Sequence, residues 1–363
     1  MIASISRAID RILGRGEAAV TLPALDGALR PNRALDEADW RRPLPGVDCI
    51  AVHKGSLVVS AGQTVYRLAA GGAWESIGSY EASVSCIAPV DADSLAVALH
   101  EGAILIQGGR FDGRRYKIGS AKCITAMAAS GEELYVANGS ASNGPDEWQT
   151  DLMQCNASGS IWRLNLETGV ETRLADGLAW PAGIAIAGSD VVFSESWRHR
   201  IVRVVSGGPR ETEVLYADLP GYPGRLSSFG DGWWLAVFAP RSQLVEFILR
   251  EPAYRERMMA EVPQPFWVAP KLRSGRSYYE PLQGGAVKHL GLLKPWAPAM
   301  SRGMCVWLDA SFQPRSSLQS RADGNTHGIT SIIDHAGETI AVSRGDNVVV
   351  GLRSPALGLG SSA

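Results

Sequence analysis

Cysteine is scarce and thinly spread, with only Cys49, Cys86, Cys123, Cys155 and Cys305 in 363 residues. An odd, sparse set excludes a secreted disulfide scaffold and points to a reducing, cytoplasmic setting. Neither sign of charge is in excess, since 35 Lys+Arg against 37 Asp+Glu leave a formal net charge of -2. Without a basic field nothing draws the chain to nucleic acid or to an anionic membrane, so neither is expected as a partner. No apolar run approaches the roughly 18 residues of a membrane span, so no integral membrane segment is expected. A Gly-rich phosphate loop, a Gly-x-Ser-x-Gly elbow and zinc-ligand spacing are missing as well, and no cofactor is expected.

Turn formers are abundant instead: 40 Gly and 20 Pro are about one residue in six, too many for a helical bundle. With 45% hydrophobic residues the chain has ample material for a large core, which excludes disorder as its main state. One pattern recurs along it, a small residue and an aliphatic one opening a short strand, then a turn, then a second apolar strand. The copies open at Asp48-Cys-Ile-Ala, Ser85-Cys-Ile-Ala, Lys122-Cys-Ile-Thr, Ala182-Gly-Ile-Ala, Gly224-Arg-Leu-Ser and His327-Gly-Ile-Thr. Their starts lie 37, 37, 60, 42 and 103 residues apart, close to the forty-odd residues of a four-stranded propeller blade wherever nothing is inserted.

The expected fold is therefore all-β, a six-bladed β-propeller over residues 18–355, with a long, partly helical insertion between blades five and six. Two stacked sandwiches are the weaker alternative, because sandwiches do not need the same opening six times. The surplus lengths fall at about 139–158 and 241–320, the second containing an expected helix from Glu251 to Glu261 and an aromatic, Pro-rich run. That run either covers a site or packs on the outside of the ring. Residues 1–17 read as an amphipathic helix, either packed on the body or resting on a membrane surface, and residues 356–363 as a flexible tail. The segment from about Ala18 to Leu29 is the expected outer strand closing the last blade.

In an up-and-down blade the start of the first strand and the end of the second share a face. Asp48, Ser85, Lys122, Ala182, Gly224 with Arg225, and His327 should then ring the channel mouth. His100, Asn138, Glu195 with Trp197 and Arg198, Arg241 and Arg344 should join them from the second strands. Such a mixed-charge pocket suits a small-molecule partner. Nothing in the pattern sets an oligomeric state.

From Leu174 to Phe238 the chain reads Leu-Ala-Asp-Gly-Leu-Ala-Trp-Pro-Ala-Gly-Ile-Ala, then Phe193-Ser-Glu-Ser, Arg200-Ile-Val-Arg, Ala217-Asp-Leu-Pro-Gly-Tyr-Pro-Gly and Asp231-Gly-Trp-Trp-Leu-Ala. This resembles the strictosidine-synthase-like family, part of a wider group of six-bladed propellers with paraoxonases and gluconolactonases. In the metal-dependent relatives the resemblance implies a calcium held by a Glu, two Asn and an Asp-Asn pair, where this chain has Asp48, Lys122, Ala182 and Gly224-Arg225. One oxygen ligand of that set survives, and the cations beside it would repel the ion, so no metal is expected. The acid of the plant condensing enzymes corresponds to Thr330.

The resemblance and the residues together leave three classes of function. The first is a metal-independent small-molecule enzyme, condensing amine with carbonyl or hydrolysing esters or lactones. The second is a ligand-binding or scaffold propeller with a decayed site. The third is a calcium-dependent lactonase or arylesterase with rearranged ligands such as Asp48, Asn138 and Glu195. Lys122 is either a base or Schiff-base lysine, or a structural cation paired with Asp48 in place of the metal. His327 is either a general acid or base or a hydrogen-bonded structural residue. Glu195 is the third catalytic candidate. Asp48, Ser85, His100, Asn138, Trp197, Arg225 and Arg344 are the candidate substrate-binding residues, the two arginines suiting a carboxylate or phosphate.

Overall fold

The second strand of each repeat has a buried apolar centre, and in Leu95–Leu99 all five residues are apolar and buried. Strands that bury both faces read as continuous hydrophobic runs, which requires a sheet packed between two others. The outer strands, such as Trp74–Ser79 and Thr212–Tyr216, are largely exposed or half-buried, because only the rim of each sheet meets solvent. Six four-stranded antiparallel sheets follow from this gradient, arranged as the blades of a β-propeller.

The computed structural model describes residues 22–205, 211–277, 279–281, 288–289, 292–293 and 300–353. The amphipathic segment 1–17, the tail 356–363 and part of the insertion at 241–320 lie outside the described residues. Blades one to four are continuous in sequence, and the innermost strands of blades one to six are Val47–His53, Val84–Pro89, Ile124–Ser130, Pro181–Ala187, Gly221–Phe229 and Ile329–His335. No helix among the described residues is long and apolar enough to cross a membrane.

The ring closes differently from the expectation. Trp40–Pro43, not the segment near Leu29, is the outer strand of blade six, with Trp40 opposite Gly351 and Pro43 opposite Val348. A closing strand from the other end of the chain ties the termini of the sheet order together and removes a free edge. Gly351 is needed there, because a Cβ would meet the Trp40 indole at 2.1 Å. The residues just before this strand clamp blades five and six: Leu35 is fully buried, and the Asp36 carboxylate accepts from Ser320 Oγ at 2.6 Å and Asn325 N at 2.9 Å.

Blade five is split between its second strand, Gly232–Pro240, and its third, Gly303–Leu308. The intervening insertion carries the expected helix, Pro252–Glu261, and an unexpected one, Gln243–Leu249, whose Ser242 cap accepts from Val245 N. Both pack with a third short helix, Trp148–Met153, in one cluster that includes Tyr222, Phe238, Val245, Met258 and Trp267. The described part of the insertion therefore packs beside the channel mouth, where Leu272 joins the pocket lining.

Candidate functional site

Each innermost strand breaks its pairing register near its start, and the extra residue turns toward the channel. The breaks fall at Asp48, Ser85, Thr125, Ala182 and Thr330, and blade five has a wider irregularity that contains Gly224 and Arg225. All seven line one pocket, open to solvent at the mouth. Its walls are Trp148, Trp180, Phe238 and Leu272, and Arg344 stands at its edge.

Arg225 fills the hub. Its Nε donates to the Thr125 carbonyl, Nη1 to the carbonyls of Asp48 and Thr330, and Nη2 to the Ser85 carbonyl at 2.7 Å and to Asp48 Oδ2 at 2.8 Å. A guanidinium has five N–H groups, so this one is saturated. It gathers the register-break carbonyls of blades one, two, three and six. A second cavity at the opposite end of the channel shares only Arg225 with the first, so this side chain divides the channel in two.

Burial works against charge on Asp48, but the Arg225 and Arg344 guanidiniums outweigh it and hold the carboxyl below the usual carboxylate range. Burial also opposes the Arg225 charge, and the Asp48 carboxylate reverses that effect. From Asp48 a line of charges runs to the rim: Arg344 Nη1 lies 3.6 Å from Asp48 Oδ1, Arg344 Nη2 donates to Asp146 Oδ1 at 2.6 Å, and His100 Nδ1 lies 3.5 Å from Asp146 Oδ2.

The aromatic wall is braced from behind. Trp180 stacks on Trp197 with centroids 5.2 Å apart, and Trp148 meets the edge of Phe238 at 5.5 Å. Trp197 Nε1 donates to the buried Asp151 at 2.8 Å, whose other oxygen accepts from Asn143 and Asn156. Trp180 sits at φ 56°, a left-handed conformation costly for a bulky residue and maintained by its surroundings.

The structure thus brings together Asp48, Ser85, Arg225 and Arg344 in the pocket, with His100 at the rim through Asp146 and Trp197 behind Trp180. The three catalytic candidates lie outside the lining. Lys122 is exposed, three residues ahead of the channel-facing Thr125, and Asp48 pairs with Arg225 and Arg344 instead. His327, three residues ahead of Thr330, is 1% exposed and outside the lining. Its Nε2 bonds the Arg321 carbonyl at 2.7 Å and its Nδ1 the Ser301 hydroxyl at 2.8 Å, a pattern that fits a neutral ring donating from Nε2. Burial first, then Arg273, lowers its pKa to about 4.

Glu195 is fully buried and also outside the lining. Its carboxylate accepts from Ala179 N at 2.8 Å, Arg198 Nη1 at 2.6 Å and Arg200 Nε at 2.5 Å. It pins the turn that presents Trp180. Asn138 is buried too, accepting from Cys123 N and donating to Ser160 Oγ. Arg241 bonds Asp218 and Glu246 away from the pocket. Cys49, Cys86 and Cys123 are buried free thiols, pushed up in pKa by burial, as small core residues are.

The calcium implied by the sequence resemblance does not fit these residues. A saturated guanidinium occupies the hub, Asp48 is the one carboxylate in the lining, and Asn138 and Glu195 lie elsewhere. Among the described residues no group of three or more His, Cys, Asp or Glu could hold a metal ion.

No family model and no curated protein matches the sequence. Solved structures do match. A luciferin-regenerating enzyme is 12% identical with a TM-score of 0.52, over 88% of this chain and 93% of that one. A gluconolactonase from Xanthomonas campestris, described as important in glucose secondary metabolic pathways, is 11% identical with a TM-score of 0.51, over 89% of each chain. At such identities the likeness is one of fold, the six-bladed propeller.

Proposed function

We propose that the pocket binds a small organic molecule without a metal and without turning it over. The observation that carries this reading is the state of Asp48, the one carboxylate among the described residues of the lining. Two guanidiniums hold it ionised, which makes it a weak proton acceptor. Lys122, His327 and Glu195, the other candidates for acid, base or nucleophile, stand outside the lining. Aromatic walls over a charge-balanced floor suit a compact, partly apolar ligand. The stretch from Leu174 to Phe238 supports a relation to the strictosidine-synthase-like group, and the guanidinium at the hub argues against the calcium-dependent lactonases.

A metal-independent hydrolase or condensing enzyme is the second reading, favoured by one contact. Thr330, the position matching the acid of the condensing enzymes, donates from Oγ1 to the Asp48 carbonyl at 2.6 Å, so Asp48 is a carboxylate beside that position. The test is a screen of lactones, aryl esters and amine–aldehyde pairs, with and without chelator, alongside calorimetric binding. Binding without turnover, indifferent to chelator, is expected. Turnover that Asp48→Asn abolishes would replace the first reading with the second, and turnover that chelator abolishes would overturn both.

A further inference from the structure

Counting the donors that face the pocket narrows the ligand. The Ser85 hydroxyl donates to the Ala98 carbonyl, Thr125 to Pro181 and Thr330 to Asp48, so each is committed to backbone. Arg225 is saturated, as described above. Arg344 differs: among the described residues the one hydrogen bond of its guanidinium runs from Nη2 to Asp146, and Nη1 lies beyond hydrogen-bond distance of Asp48 at 3.6 Å. Four of its five N–H groups therefore remain for a ligand.

Its one hydrogen-bond partner is easily exchanged. Asp146 is 61% exposed and sits on the rim, where water solvates its carboxylate as well as Arg344 does. Asp48 neutralises Arg225, which leaves Arg344 as the cation with charge to offer and makes a monoanion the matching ligand. Planar guanidinium and carboxylate pair through two parallel hydrogen bonds, and Trp148, Trp180 and Phe238 provide apolar faces beside them.

We infer that the ligand is a monocarboxylate on a flat apolar body, and that Arg344 recognises the carboxylate by releasing Asp146. This rests on the reading of the pocket as a ligand site. The test is calorimetry on the full chain with three probes that share one ring system: 2-naphthylacetate, its amide, and 2-naphthylethylamine. The acid should bind about tenfold or more tightly than the amide. Arg344→Gln should remove that preference and leave amide affinity in place. Asp146→Asn, which frees Arg344, should tighten the acid severalfold, a gain that misfolding does not produce. Equal binding of the three probes, or tightest binding of the amine, would overturn the carboxylate assignment while the pocket reading stands. Binding of none would overturn both.

Discussion

Replacing Arg225 with Met removes the guanidinium and keeps a side chain of similar length. Asp48 then loses its 2.8 Å partner and keeps only Arg344 at 3.6 Å, while the carbonyls of Asp48, Ser85, Thr125 and Thr330 lose their shared donor. Breaking a buried ion pair from one side costs about 3–5 kcal/mol. The carbonyls add little, because both ends of the channel admit water that can replace the lost bonds. At about 2.1 cal/mol/K of unfolding entropy per residue, a 363-residue chain losing about 4 kcal/mol should drop roughly 5 °C in Tm. The assay is calorimetric unfolding of the wild type, Arg225→Met, Asp48→Asn and the double variant. The pair should couple by more than about 1.5 kcal/mol, the double variant being less damaged than the sum of the singles. A loss under about 1 kcal/mol for Arg225→Met, or additive singles, would refute the claim that this pair holds the hub.

Other expectations follow from the buried groups. His327 titrates at about 4 in the fold against 6.5 when unfolded, so the unfolded chain binds the extra proton first as pH falls. Stability present above pH 6.5 should fall by about 3 kcal/mol between there and pH 4, and His327→Gln should flatten that slope in Tm against pH. Glu195→Ala should cost about 3 kcal/mol by chemical denaturation, because the Ala179 N–H and two arginines lose one buried acceptor; an equally stable variant would contradict its structural role. Gly351→Ala should eject the Trp40 indole and loosen the closing strand, seen as faster amide exchange at residues 40–43; unchanged exchange would refute the closure argument.

The propeller was legible because each blade writes the same apolar strands in the same order, and the spacing of the copies exposed both insertions. Register was harder. At Lys122-Cys-Ile-Thr the Cys-Ile pair imitates Asp48-Cys-Ile, yet the equivalent segment is Thr125-Ala-Met-Ala. A three-residue slip moves a side chain about 10 Å along a strand and onto its other face, which carries Lys122 to solvent and His327 into the body. The register break itself gave the usable signal, an apolar residue, the channel residue, a small residue, then an aliphatic one. That pattern finds Thr125 and Thr330. Trp148, Trp180, Phe238 and Leu272 were missed as pocket walls because they reach the mouth through loops, a helix and a strand end whose meeting no local pattern encodes. Arg225 was recognised as part of the ring, but its saturation by four blades is a property of the closed fold. The closing strand was misplaced because Leu29 sits just upstream of Trp40–Pro43, and propensity does not tell which of two short segments finds the free edge.

The central claim, that a saturated guanidinium and not a metal ion fills the channel hub, is tested most directly by a calcium titration of chelator-treated protein with elemental analysis of the untreated sample. No stoichiometric calcium, no binding heat and an unchanged Tm are expected. One calcium per chain, with a Tm that rises on its addition, would contradict it.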